Sequence, residues 1–428
     1  MKNDPVVAIA GVTGAVGAEF IATMDKRGFR VGRLKALASA RSACKTIEFR
    51  GERIVIEELR KDSFEGVDIA LFSAGAGISR KFAPIAVKAG AVVIDNSSAF
   101  RMDPTVPLVI PEINANRIRE HRGILAVPNC AAITVLVPLW PIHRNNRIKR
   151  VILSTYQAAS GAGAAAMEEL VASTRASLNG QSYPPKAMPH PYAFNLFNHN
   201  TAIDPATGYN DEETKVIRET RKIFEDDRIA VGVTCVRVPV LRAHCAAITF
   251  ECENPITEGE VREMLSEAPG VKIVDDRAKN YFPMPIDASG QDDVLVGRIR
   301  MDLSDRSGHS IAMFAAADQL LKGAALNAIQ IAELLPQRAM ARAAALFRCV
   351  NSFIHSVDGR PLCYALRTLV GIAGGPKGAI TEVASLTACR RHARATFADF
   401  TQKRPRSSRS AKRPPLCRSR TPRSRRAD

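Results

Sequence analysis

No apolar run in the 428-residue sequence approaches the roughly 20 residues needed to span a bilayer. The opening residues, MKNDPVVAIAG, lead directly into an apolar segment and leave no room for a signal or transit peptide, so a cytoplasmic location is expected. The nine cysteines show no C-x-x-C or other paired metal spacing. No metal site is expected, and most cysteines are expected to be free thiols in a reducing compartment. No segment repeats at a fixed period. Net charge is also small over most of the chain. The formal net charge is +17, but residues 336–428 hold 20 Lys and Arg against 4 Asp and Glu, which leaves the first 335 residues at +1. The basic character therefore says little about the partners of the body. The run Thr401–Asp428 is dominated by Arg, Ser, Pro and Lys, has no aromatic residue, and cannot bury enough apolar surface to offset chain entropy. It is expected to be disordered. Nucleic-acid binding is not expected of the protein except through this tail, and the missing aromatics count against that too.

What is present is an alternation of short apolar runs with helical segments. Val6–Ala10, Leu34–Ala38, Val67–Phe72, Ala91–Ile94 and Ile124–Val127 read as buried parallel strands, separated by helical segments such as Ala15–Met24 and Ser79–Ala89. After Pro128 the texture changes. Strands are expected at Val151–Gln157, Ile229–Val240, Cys245–Glu251 and Asp293–Met301, a Pro-, Asn- and His-rich loop at Ser182–Thr207, and helices at Asp211–Phe224 and Ala315–Leu335. The fold class is α/β: a Rossmann-like doubly wound parallel sheet, then a second, mixed-sheet α+β domain, then the basic tail.

Gly11-Val-Thr13-Gly14-Ala15-Val16-Gly17 is a G-x-x-G-x-x-G form of the dinucleotide fingerprint, placed between a buried strand and a helix. Glycines admit a pyrophosphate to the backbone, and the helix N-terminus supplies N–H groups and a positive dipole end. The second strand ends Leu37-Ala38-Ser39-Ala40-Arg41-Ser42, without the acid that binds the ribose of NAD. Arg41 and Ser42 can bind a 2′-phosphate instead, so NADP is the expected cofactor.

Cys130 follows Val127-Pro128-Asn129 at the start of an apolar helix, where N–H groups and the dipole stabilise a thiolate. The commoner fate of a cysteine is burial without reaction, and position alone does not decide between the two. Among eight histidines, His244 has the most unusual setting, in Cys235-Val-Arg237-Val-Pro239-Val-Leu-Arg242-Ala-His244. A bend at Pro239 would aim Arg237 and His244 into one cleft. An exposed edge carrying cations is the plainer alternative.

Eight motifs in order now carry a resemblance: GVTGAVG, NSSAFRMD at Asn96–Asp103, VIPEIN at Val109–Asn114, PNC, STYQAASGAG at Ser154–Gly163, GYNDEETK at Gly208–Lys215, RVPVLRAH and GAALNAIQIAELL. Over about residues 5–335 the chain resembles the aspartate-semialdehyde dehydrogenase family. The resemblance implies NADPH-dependent reduction of L-aspartyl 4-phosphate to L-aspartate 4-semialdehyde and phosphate, within lysine, threonine, methionine, isoleucine and diaminopimelate biosynthesis. It implies that Cys130 is the nucleophile, His244 the acid–base and Gln157 an orienting residue. Arg237 matches the carboxylate clamp, Arg101 and Lys215 the phosphate-site cations, and Asn129 and Glu212 further substrate contacts. Ser160, Gly161 and Gln319 match cofactor contacts beside the glycine loop. The family is usually dimeric or tetrameric, so a homodimer or homotetramer is implied. N-acetyl-γ-glutamyl-phosphate reductase, with the same chemistry on a longer substrate, is the alternative enzyme.

The expected organisation is an NADP-binding domain at 1–128, a substrate-binding and dimerisation domain at 129–314, a C-terminal helix at 315–335 returning to the first domain, and an extension at 336–428. Three departures from the family stand out. Ala131-Ala132 replaces Ser-Thr after the nucleophile, Cys245 replaces Ser after the base, and the 93-residue extension matches nothing in the family.

Overall fold

A computed structural model describes residues 4–335. The expectations for residues 336–428, disorder of the basic run included, lie outside the described residues. Two seven-stranded sheets organise the rest.

The first sheet comprises β1 (Val6–Ala10), β2 (Arg33–Ala38), β3 (Thr46–Phe49), β4 (Glu52–Glu58), β5 (Ile69–Phe72), β6 (Val92–Asp95) and β7 (Ile124–Ala126). Its order is β3-β4-β2-β1-β5-β6-β7. Every pairing is parallel except the β3–β4 hairpin. The sequence reading missed that hairpin. Its turn is Arg50-Gly51, both at positive φ (53° and 78°), the backbone a two-residue hairpin requires. Alternate residues of β1 face opposite cores, Val7 and Ile9 into one and Ala8 and Ala10 into the other. Helix α1 (Ala15–Lys26) packs on the first face, and α2 (Ala76–Lys88) covers the second through Phe82, Ala83 and Ala86. This is the doubly wound sheet that the apolar runs predict.

The second sheet has the order β12-β13-β14-β11-β8-β10-β9. Its strands are β8 (Ile148–Gln157), β9 (Phe197–Asn198), β10 (Ala230–Arg237), β11 (His244–Cys252), β12 (Val271–Ile273), β13 (Val294–Met301) and β14 (Ser310–Ala317). It is mixed, with β8–β10 and β12–β13 parallel and the other pairings antiparallel. Three helices cover one face: α4 (Cys130–Asn145), α6 (Asp211–Phe224) and α7 (Glu258–Ser266). The helix α4 is apolar nearly all round, which suits a helix buried between other elements. The opposite face carries Ile152 and Tyr156 at 41% and 36% exposure, with the Tyr156 ring 6.1 Å from Phe314. Further helices are α3 (Pro111–Asn114), which packs against α4 and α6, α5 (Ala164–Leu178), and α8 (Pro285–Ala288), which packs on β14.

One expected element is corrected. The helix expected at Ala315–Leu335 begins later, because Ser310–Ala317 is strand β14. Its alanines favour a helix locally, but Ala315 and Ala316 pair with β11 on one side and β13 on the other. Tertiary pairing overrides propensity here. A π-helical turn, Leu321–Ala325, then leads into α9 (Leu326–Leu334), which packs against α1 and β6 of the first sheet.

Candidate active site

The glycine loop sits at the carboxyl end of β1, beside the β1–β5 switch point where an open sheet of this kind binds its ligand. The N–H groups of Gly11 and Val12 donate to the Leu37 carbonyl at 2.9 and 3.2 Å. Gly11 has φ +93°, and a Cβ there would stand 2.5 Å from the Ser73 carbonyl oxygen. A Cβ on Gly17 would stand 2.4 Å from the Gly11 oxygen. Gly14 begins α1 without any side-chain cap, which leaves N–H groups of the first turn for an anion. Thr13, Ala15 and Val16 fill the rest of the loop. Arg41 is exposed and Ser42 buried, both in the short 3-10 turn that follows β2.

The second cluster assembles around the start of α4. Asn129 caps the helix, its Oδ1 accepting from the N–H groups of Ala131 (2.9 Å) and Ala132 (3.2 Å). Its Nδ2 donates to Glu212 Oε1 at 2.8 Å, and Gln157 Nε2 donates to the same oxygen at 3.1 Å. Gln157 is fully buried at the end of β8, and its Oε1 has no protein partner. Burial alone would raise the Glu212 pKa, but His199, Lys215 and the amides of Asn129 and Gln157 outweigh it and bring the value down to about 2. Lys215, one turn along α6, pairs with Glu212 at 3.3 Å and stays partly exposed.

Arg237 ends β10 and His244 begins β11, and both are buried. The bend between them does bring them to one place. A Cβ on Gly161 would lie 2.8 Å from His244 Nε2 and 3.2 Å from Arg237 Nη1. Arg237 Nε donates to Asn200 Oδ1 (3.2 Å) and Nη1 to the Ala158 carbonyl (3.2 Å), leaving Nη2 and one Nη1 hydrogen for a ligand. Ser160, also buried, bonds through its hydroxyl to Gln319 Nε2.

His244 Nδ1 accepts a hydrogen bond from the Ala158 N–H at 3.0 Å. The neutral ring therefore carries its proton on Nε2, which has no protein partner. Burial, reinforced by Arg237, lowers its pKa to about 3. The side chain is thus set as an Nε2–H donor. Accepting a proton at Nε2 would require the other tautomer and would leave the Ala158 N–H unpaired.

The Cys130 thiol also differs from the expectation. Burial and the Glu212 charge push its pKa up to about 11, against the opposing pull of Arg101 and Arg237. The Ala131 N–H also lowers it, but that N–H and its Ala132 neighbour donate to Asn129 Oδ1 as well, and the helix start does not offset burial.

Arg101 is held by Nε to the Val127 carbonyl (2.9 Å), Nη2 to the Asn96 carbonyl (2.8 Å) and Nη1 to Glu219 (3.2 Å). Glu219 was missed in the sequence reading, as was Lys222, whose ammonium donates to the carbonyls of Arg101, Asp103 and Val106. A signal existed. Glu212, Lys215, Glu219 and Lys222 recur at helical spacing on α6. A charged row beside the buried Val216 and Ile223 marks a face turned inward. His199 was also passed over as a residue of a polar loop. It is buried, and burial, with Arg237 and Lys215, lowers its pKa to about 4.

Residues 6–121 match the family described as semialdehyde dehydrogenase, NAD binding domain, and residues 139–322 match semialdehyde dehydrogenase, dimerisation domain. The chain is 51% identical over 332 residues to an aspartate-semialdehyde dehydrogenase of Synechocystis, covering 78% of this chain and 97% of that one. It is 44% identical over 337 residues to the Bacillus subtilis enzyme of the same name, covering 77% and 96%. Aspartate semialdehyde dehydrogenase II of Vibrio cholerae, solved in complex with ASA, superposes with a TM-score of 0.75 at 43% identity, covering 78% of this chain and 98% of that one. N-acetyl-γ-glutamyl-phosphate reductase is not favoured by these matches. The chain belongs to the aspartate-semialdehyde dehydrogenase family.

Proposed function

We propose that the protein reduces L-aspartyl 4-phosphate to L-aspartate 4-semialdehyde and phosphate, with NADPH, through a thioester on Cys130. The observation that carries the reading is the convergence of Cys130, Gln157, Arg237 and His244 from four different elements, with a carboxylate and two further cations beside them. The Cys130 sulfur attacks the acyl carbon, and the thiol proton ends on the phosphate that departs. The C–S bond forms, the C–O bond to phosphate breaks, and Arg101 and Lys215 receive the departing anion. NADPH supplies the hydride when bound. His244 Nε2–H hydrogen-bonds the oxygen that becomes negative and keeps its proton; that oxygen reforms the carbonyl as the C–S bond breaks, releasing the aldehyde, and the Cys130 thiolate takes a proton from water. Arg237 holds the substrate α-carboxylate with its two remaining faces. Asn129, Gln157 and Glu212 orient the acyl group.

The glycine cradle, where a Cβ on Gly11 or Gly17 would collide with backbone, fits a dinucleotide. NADP rather than NAD rests on Arg41 and Ser42 and on the missing acid at the end of β2. Ser160, Gly161 and Gln319 complete the cofactor contacts. Residues 1–128 with the returning α9 form the cofactor-binding part, and the substrate part extends from 129 through β14. Two copies pair through the face of the second sheet opposite α4, α6 and α7, where Ile152 and Tyr156 are exposed. The enzyme is placed in the cytoplasm. The test is phosphate-dependent oxidation of aspartate semialdehyde, followed as NADPH formation. Turnover of the N-acetylglutamyl counterpart in its place overturns the assignment.

A further inference from the structure

The short segment between β14 and α9 touches both Cys130 and the backbone that carries His244. Gly323 lies in the π-helical turn, closed by bonds from the Gly323 N–H to the Asp318 carbonyl (3.2 Å) and from the Ala325 N–H to the Leu320 carbonyl (2.9 Å). Such turns insert one residue into a helix and recur at functional sites. Here the insertion brings residue 323 against the start of α4. A Cβ on Gly323 would stand 2.9 Å from the Cys130 Cβ and 3.4 Å from its Cα. Neither atom is the far end of a flexible chain, so only glycine fits.

The neighbouring Lys322 is 1% exposed. Its three N–H donors are matched by three acceptors: the Glu112 carboxylate, Asn327 Oδ1 (3.1 Å) and Gln330 Oε1 (2.7 Å). Gln330 Nε2 closes the network on Glu112 at 3.2 Å. A buried ammonium is costly, and a fully satisfied one specifies a single arrangement.

The other end of the segment grips the His244 strand. Asp318 Oδ2 accepts from Arg242 Nε at 2.6 Å and from the Gly290 N–H at 2.7 Å. Gln319 Oε1 accepts from the Ala243 N–H at 2.9 Å. Ala243 has φ +75°, a left-handed backbone that a non-glycine residue holds only under constraint, and it directly precedes His244.

We infer that Asp318–Gly323 is a crosspiece that sets the position of Cys130 relative to His244, with Lys322 and Gly323 as positioning residues for the nucleophile. The inference rests on the reading of Cys130 given above. The test compares the full-length wild type with Gly323→Ala, measuring kcat, KM for aspartate semialdehyde and the pH profile of iodoacetamide capture at Cys130. A displacement on the order of 1 Å at a reacting group costs about a hundredfold. Gly323→Ala is therefore expected to lose about that much in kcat with little change in KM, and to shift the capture profile. A folded Gly323→Ala enzyme with wild-type kcat and capture profile overturns the inference. If that variant does not fold, Glu112→Gln decides. It keeps an acceptor for Lys322 but removes the charge, and reduced kcat with an altered capture profile supports positioning. A lower Tm with both unchanged shows a structural role only and overturns it. Turnover by Cys130→Ala would instead sink the nucleophile reading, while the capture profile still reports whether residue 323 positions Cys130.

Discussion

The backbone N–H of Asn129 donates to the buried Oε2 of Glu219 at 2.6 Å, across 90 residues of sequence. The other oxygen of the same carboxylate accepts from Arg101 at 3.2 Å. One side chain thus ties a proposed phosphate cation to the residue that caps α4, the helix that begins at Cys130. Removing one partner of a buried ion pair costs about 3–5 kcal/mol, because the remaining charge is left without compensation. Glu219→Ala should lose that much stability in urea unfolding and should raise KM for phosphate. Glu219→Gln, which keeps an acceptor for the Asn129 N–H, should lose less of both. Equal stability of Glu219→Ala and wild type would refute the link.

Arg237→Lys keeps the charge but not the fork. Asn200 and the Ala158 carbonyl already occupy Nε and one Nη1 hydrogen, so the proposed clamp on the substrate carboxylate uses the outer end of the guanidinium. Loss of a charged hydrogen bond, about 1.5–3 kcal/mol, corresponds to roughly ten- to a hundredfold in kcat/KM. An unchanged kcat/KM would remove Arg237 from the substrate site.

Arg41→Ala should raise KM for NADPH far more than for NADH, since only the former carries a 2′-phosphate. Steady-state titrations with the two cofactors decide this. Equal effects on both would show that Arg41 does not touch the phosphate.

The raised thiol of Cys130 has a definite pH signature. Alkylation requires the thiolate, so capture at Cys130 should keep rising with pH toward an inflection near about 11, beyond the ordinary value of 9.0. The Glu212 charge contributes to that rise. Glu212→Gln should lower the thiol pKa, and the free enzyme should then be captured faster at neutral pH. Slower or unchanged capture in the variant would contradict the sign.

Much of this was legible in the sequence. The doubly wound sheet follows from the apolar runs, and α6 spans Asp211–Phe224, the bounds expected from the sequence. The departures have physical causes. Strand β14 is alanine-rich, and alanine reads as helix until its two partner strands are known. The β3–β4 hairpin turns on Arg50-Gly51, a weaker signal than Asn-Gly. The tautomer of His244 depends on the Ala158 N–H, 86 residues away, and the state of the Cys130 thiol on burial and Glu212. The resemblance carried Gln157 and Glu212 to the site but not Glu219 or Lys322, whose partners come from distant segments.

The most direct measurement is NADP+ reduction by wild type and Cys130→Ala, each with aspartate semialdehyde in the presence and absence of phosphate. The wild type should form NADPH only when aldehyde and phosphate are both present, and Cys130→Ala should form none. Phosphate-independent turnover by the wild type, or substantial turnover by Cys130→Ala, would contradict a thioester on Cys130 that phosphate releases.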